Sequence, residues 1–192
     1  MKTSLFLSFL LFATSSFAQV QSTKDQIASA VLAATEVQRE AATVMGYDVD
    51  GKFITLRKGS NELICLADNP NQKGFSVACY HKELDPMMAR GRALRAEGKN
   101  SGEIDKIRAE EAVSGKLKMP KSATTLHVLS GASAHYDAAK NEVVGATLRY
   151  VVYIPFATQE STGLPLQPVV KGGPWLMFPG TYRAHIMISP VK

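Results

Sequence analysis

The chain has 192 residues, 45% of them hydrophobic, and a net charge of +5, so it can bury a core and lacks the composition of a disordered polyelectrolyte. A charge this mild favours anionic surfaces without requiring them. No basic stretch interleaved with base-stacking aromatics occurs, which sets nucleic acid aside as a partner, and no apolar run reaches the ~20 residues of a bilayer-spanning helix, so no transmembrane anchor is expected.

The first element is an address. Lys2, an apolar run from Leu5 to Phe12 and the exit Ser16-Phe17-Ala18 have the layout of a secretory signal peptide over residues 1–18. Residues 19–192 then form one exported domain, periplasmic or secreted.

Thr23, with Gln26 three residues on, reads as a helix start. The helix is expected to run to about Met45. Ile27, Ala30, Val31, Ala34, Val37, Ala41 and Val44 give one apolar stripe, and Gly46 reads as the stop. A meander follows, with strands over 52–57, 62–67 and 75–81 separated by Asp50-Gly51 and Gly59-Ser60-Asn61. Asp48-Val49-Asp50-Gly51 lacks the remaining ligands of a calcium loop and reads as a turn.

Cys65 and Cys79 fall in two of these strands, symmetric about Gln72 in the turn-rich segment 68–74. Facing each other across a hairpin in an oxidising compartment, they are predicted to form a disulfide.

Asp85-Pro86 opens a helix over 87–97 that ends at Gly98, and Ser101 is expected to cap a second one ending at Gly115. Together they make a central helical hairpin. Its basic residues, among them Arg90, Arg92, Arg95, Lys99, Lys116, Lys118 and Lys121, are interleaved with acids and read as a solvated face. Strands are then expected over 125–130, 135–136 and 142–156. A proline- and glycine-rich loop leads to a last pair over 175–178 and 181–189, joined by Pro179-Gly180. The fold class is α+β: an antiparallel sheet with an N-terminal packing helix and a central helical hairpin.

The segment with the only tryptophan is the most distinctive. Strand alternation turns Ala184, Ile186 and Ile188 to the core and Arg183, His185 and Met187 the other way, while Trp175 and Met177 share a face. Trp175, Arg183 and His185 are therefore the candidate ligand-binding residues, suited to a small anionic molecule or an envelope protein. No cofactor is required by this reading.

The alternative is a metal-binding protein or metal-dependent enzyme that assembles His127, His135, His185 and Met187 around a copper or zinc ion. On one continuous strand His127 and His135 would be roughly 27 Å apart, so only a break at Gly131 brings them together. Ser133, His135 and Asp137 alternate on a strand at ~6.6 Å spacing, too wide for a catalytic triad. A third reading is a structural accessory subunit. No nucleophile motif appears, and binding is favoured over catalysis.

Overall fold

The computed structural model describes residues 20–191, so the signal-peptide reading of residues 1–18 lies outside the described part. The chain begins with α1 (Thr23–Ala30), a 3-10 turn (Val31–Ala33) and α2 (Glu36–Arg39). The strands β1 (Thr43–Tyr47), β2 (Phe53–Arg57), β3 (Leu63–Leu66) and β4 (Phe75–His81) follow. A second 3-10 turn (Lys82–Leu84) enters α3 (Asp85–Ala96), then α4 (Ser101–Val113). The remainder is β5 (Thr124–Gly131), β6 (His135–Asp137), β7 (Glu142–Val144), β8 (Thr147–Tyr153), α5 (Gln159–Thr162), β9 (Trp175–Met177) and β10 (His185–Ile188).

Eight strands form one sheet in the order β2-β1-β3-β4-β5-β8-β10-β9. All neighbours are antiparallel except β1 and β3, which run parallel. This is an α+β fold with a mostly antiparallel sheet.

The expected long first helix is the main correction. It breaks after Ala30, and residues 43–47 are instead an inner strand. Nothing in Val31-Leu32-Ala33-Ala34 forbids a helix, so the break is tertiary: Ala30, Ala33 and Ala34 are pressed into the core with Val77 and both cysteines. Arg57 of β2 then donates to the carbonyls of Arg39 and Ala42, satisfying the end of α2. Val37, counted in the helical stripe, is 92% exposed.

Gly46 also changes role, from helix stop to strand residue. A Cβ there would lie 2.5 Å from Gln26 Oε1 and 2.6 Å from Leu56 Cδ1, so only glycine lets α1 lie this close to β1. Gln26 uses that proximity. Its amide accepts from Tyr47 N and donates to Tyr47 O, both at 2.8 Å, and is not part of a capping box. Ser22, one residue before the expected Thr23, caps the helix by accepting from Asp25 N. Likewise Asn100, not Ser101, caps α4, in a capping box with Glu103.

The disulfide forms as expected. Cys65 and Cys79 are directly paired across β3 and β4, bonded, and buried beneath α1. Directly paired residues share a sheet face, so the register sorts the side chains. One row runs Val44-Cys65-Cys79-His127-Tyr150-Ile188, and its first half is covered by α1 and the following 3-10 turn. The other runs Ile64-Tyr80-Leu126-Val151-Met187-Trp175. Over its first half pack Leu84, Met87, Ala112 and Leu117 of the helical hairpin and its flanks. The hairpin is clamped by Arg90, whose guanidinium donates to both carboxylate oxygens of Glu111 at 2.9 and 2.8 Å.

The strand expected over 142–156 is broken in two at Gly145 (φ 76°). Gly145 O lies so near Gly131 that a Cβ on Gly131 would be only 2.6 Å away. The freed β6–β7 ribbon folds onto the α1 side, where Ala134, Ala146, Tyr136 and Val143 join the core around the disulfide.

Candidate functional site

The ribbon of β9 and β10 holds the residues singled out in the sequence. Its register sets His185 opposite Met177 and Met187 opposite Trp175, so these four side chains share one face. His185 is only 6% exposed, because Tyr153 and Phe178 lie beside its ring at 5.2 and 5.7 Å. Ala184 is buried as well, so both faces are covered at this point.

His185 Nδ1 lies 2.8 Å from the Arg183 carbonyl oxygen. A carbonyl only accepts, so Nδ1 carries the proton and Nε2 presents a lone pair. Burial holds the imidazole below its usual pKa; the nearby Arg183 charge adds to this, and the hydrogen bond to the Arg183 carbonyl opposes it.

Arg183 itself is engaged. Its guanidinium stacks 3.8 Å from the Phe178 ring centre, and its Nε is 3.3 Å from Asp105 Oδ1 on α4. The same carboxylate oxygen accepts from the buried Tyr182 hydroxyl at 2.7 Å. The Arg108 guanidinium lies over the Tyr182 ring, fitting between the helices because Gly91 has no side chain to meet it. This cluster ties the C-terminal ribbon to α4, and Arg183 spends its charge there.

The histidines do not converge. His127 stands beside the disulfide on the α1 side of the sheet, its ring edge-on to Tyr150, whereas His185 is on the hairpin side. His135 is exposed on the separate β6–β7 ribbon. A metal set of His127, His135 and His185 is therefore not assembled, and no group of three histidine, cysteine or acidic residues among the described residues could hold an ion. The break at Gly131 occurs, but it sends His135 into another sheet. Asp137 accepts from Ala139 N in a turn, away from any triad role, and Asp48 closes its own turn by accepting from Asp50 N and Lys52 N.

A groove missed in the sequence lies at the start of α3. It has a volume of about 700 Å³, within the range of small-ligand pockets. Ile64 and Met119 pack against the core and, with Pro86 and Pro120, supply its apolar walls, while Lys82, Lys118, Lys121 and Ser122, together with the acids Glu83 and Asp85, line its polar side. Lys82 is paired with Glu62 at 2.6 Å. Among the described residues Lys118 and Lys121 have no carboxylate partner. The signal is the alternation Lys118-Met119-Pro120-Lys121, which composition alone merges with the solvated charges of the hairpin.

Tyr80, Asp85 and Arg92 form a polar network whose Asp85 also lines this groove. Tyr80 OH donates to Asp85 Oδ1 at 2.7 Å, and Arg92 donates to both the hydroxyl and the carboxylate at 3.0 Å. Burial, first, and the Asp85 hydrogen bond raise the Tyr80 pKa despite Arg92, so the phenol stays protonated. Among the described residues no helix is long and apolar enough to cross a membrane. Comparison with protein-family models, with curated proteins and with solved structures finds no match.

Proposed function

We propose that the protein is an exported binding domain, without catalysis, whose ligand is a small anionic amphiphile seated in the groove of Lys82, Lys118 and Lys121. The observation that carries this reading is the pairing of Lys118 and Lys121, which have no ion-pair partner among the described residues and outnumber the one unpaired acid of the lining, Glu83, with the apolar walls of Ile64, Met119, Pro86 and Pro120. Cations beside an apolar trough suit a carboxylate or phosphate head on a hydrocarbon body, since each part of the ligand meets its own chemistry. The first candidate for anion capture, Arg183, is held by Asp105 and Phe178, which moves that role to the lysines. Binding is favoured over catalysis because the polar groups best placed for chemistry are committed to structural bonds: Tyr80 with Asp85 and Arg92, Tyr182 with Asp105.

The test is a titration of the ¹⁵N-labelled protein with dodecyl phosphate below its micelle concentration, dodecyl maltoside serving as the neutral-headgroup control. Amide shifts concentrated at 82–86 and 118–122 for the phosphate alone support the groove. Shifts elsewhere, or equal shifts with the maltoside, overturn it.

A further inference from the structure

The β9–β10 ribbon carries a different chemistry from the groove. Two thioethers, an imidazole and an indole project from one face of a two-stranded ribbon at the edge of the sheet. Met177 stands directly opposite His185, where Cβ atoms are ~4.5–5.5 Å apart, and Met187 is diagonal to Met177 at about 7–8 Å, within reach of long unbranched side chains. We propose that this ribbon binds a monovalent soft metal ion, Cu(I) or Ag(I), with His185 Nε2, Met177 Sδ and Met187 Sδ as ligands and the Trp175 ring alongside the ion.

Each donor is prepared for that role. The Arg183 carbonyl fixes the proton on Nδ1 of His185, so Nε2 presents its lone pair; this is how a carbonyl behind a metal-binding imidazole orients the ring. Met177, Met187 and Trp175 are half-buried, leaving the ion a path from solvent. Thioether and neutral imidazole are soft or borderline donors without charge, which match a +1 ion and give a +2 ion nothing to neutralise it. Asp105, the acid that contacts Arg183, is occupied by Tyr182 and Arg183 and offsets the Arg183 charge. Both cysteines are locked in the buried disulfide, so no thiolate competes. His127 and His135 take no part.

Trp175 is the only tryptophan and reports on the site directly. The experiment titrates the whole protein with silver nitrate in chloride-free buffer, reading Trp175 fluorescence, and repeats it with Met177→Leu, Met187→Leu and the double variant. Leucine keeps the volume of methionine without the sulfur, so the ribbon is retained. The expected result is a fluorescence change complete at one silver ion per chain, with affinity at least tenfold weaker in each single variant. An unchanged spectrum at excess silver, or equal affinity in the double variant, overturns the site. Methyl NMR of the unsubstituted protein adds a readout that needs no variant. The Met177 and Met187 methyl signals are expected to move with silver, and movement confined to other methionines would sink the proposal. Anaerobic Cu(I) competed against a chromophoric chelator should show one copper withdrawn per chain, and a chelator that keeps all its copper contradicts the Cu(I) assignment.

Discussion

The Tyr182 hydroxyl donates to Asp105 Oδ1 at 2.7 Å across 77 positions of sequence, joining the C-terminal ribbon to the helical hairpin. Burial, with this hydrogen bond as the second cause, pushes the Tyr182 pKa up to about 12, so the phenol donates at every physiological pH. A buried hydrogen bond to a charged acceptor contributes about 2 kcal/mol, so Tyr182→Phe should lower the unfolding free energy by about that amount in urea. An unchanged midpoint would show the contact to be incidental.

The Cys65–Cys79 bond closes a short loop, separation 14, inside the sheet. On the chain-entropy model a loop of this size contributes about 3 kcal/mol, so the Cys65→Ala/Cys79→Ala protein should unfold at clearly lower urea. The buried position beneath α1 predicts a second behaviour: slow reduction by thiols until the protein unfolds. Rapid reduction of the native protein, followed by thiol labelling, would contradict that packing.

Both His127 and His185 have folded-state pKa values below the free imidazole value, burial being the largest cause in each. For His127 a hydrogen bond to the Ala33 carbonyl partly opposes the shift, and for His185 the Arg183 carbonyl does the same while the Arg183 charge reinforces it. The unfolded chain therefore binds more protons as pH falls through about 6.5 towards the folded values, and stability is lost on the acid side of neutrality. Thermal melts should show a falling midpoint between about pH 7 and pH 5, flattened in a His127→Gln variant. A midpoint that rises on acidification would reverse the assigned sign.

Gly46 and Gln26 make a joint prediction. Gly46→Ala drives a methyl into Gln26 Oε1 and Leu56 Cδ1, and overpacking of this kind costs about 1–3 kcal/mol. Gln26→Ala leaves both Tyr47 backbone groups without their side-chain partner, at a cost of about 1–3 kcal/mol. Because both act at one contact, the double variant should lose less than the sum, a coupling that denaturant curves of the four proteins measure. Strict additivity would place the two effects apart.

Strands with an alternating pattern and bounded turns are legible in the sequence: the pattern places β4 at 75–81, its observed ends, and the Cys65–Cys79 pairing follows from hairpin symmetry alone. What escapes is set by tertiary contact. Residues 31–45 have helical local preference, and tertiary contacts turn them into a bend and a strand: Ala33 and Ala34 packed into the core, the Arg57 guanidinium on the Arg39 and Ala42 carbonyls, and Gln26 against Gly46. At the candidate sites, alternation groups Trp175 with Met177 and His185 with Met187, and the ribbon register sets all four on one face. Of the groups that cover His185, Phe178 belongs to the same ribbon, whereas Tyr153 comes from β8 and meets it only through the sheet register. The lysine groove is hidden because Ile64, Pro86 and Met119 meet only after the hairpin packs on the sheet.

Calorimetric titration of dodecyl phosphate into the wild-type protein and the Lys118→Gln/Lys121→Gln variant decides whether the groove binds an anionic amphiphile through its lysines. Two rim cations of modest strength account for roughly a tenfold change in affinity. The expected outcome is one ligand per chain, about tenfold weaker binding in the variant, and no comparable binding of dodecyl maltoside. Equal affinity in the two proteins would contradict it.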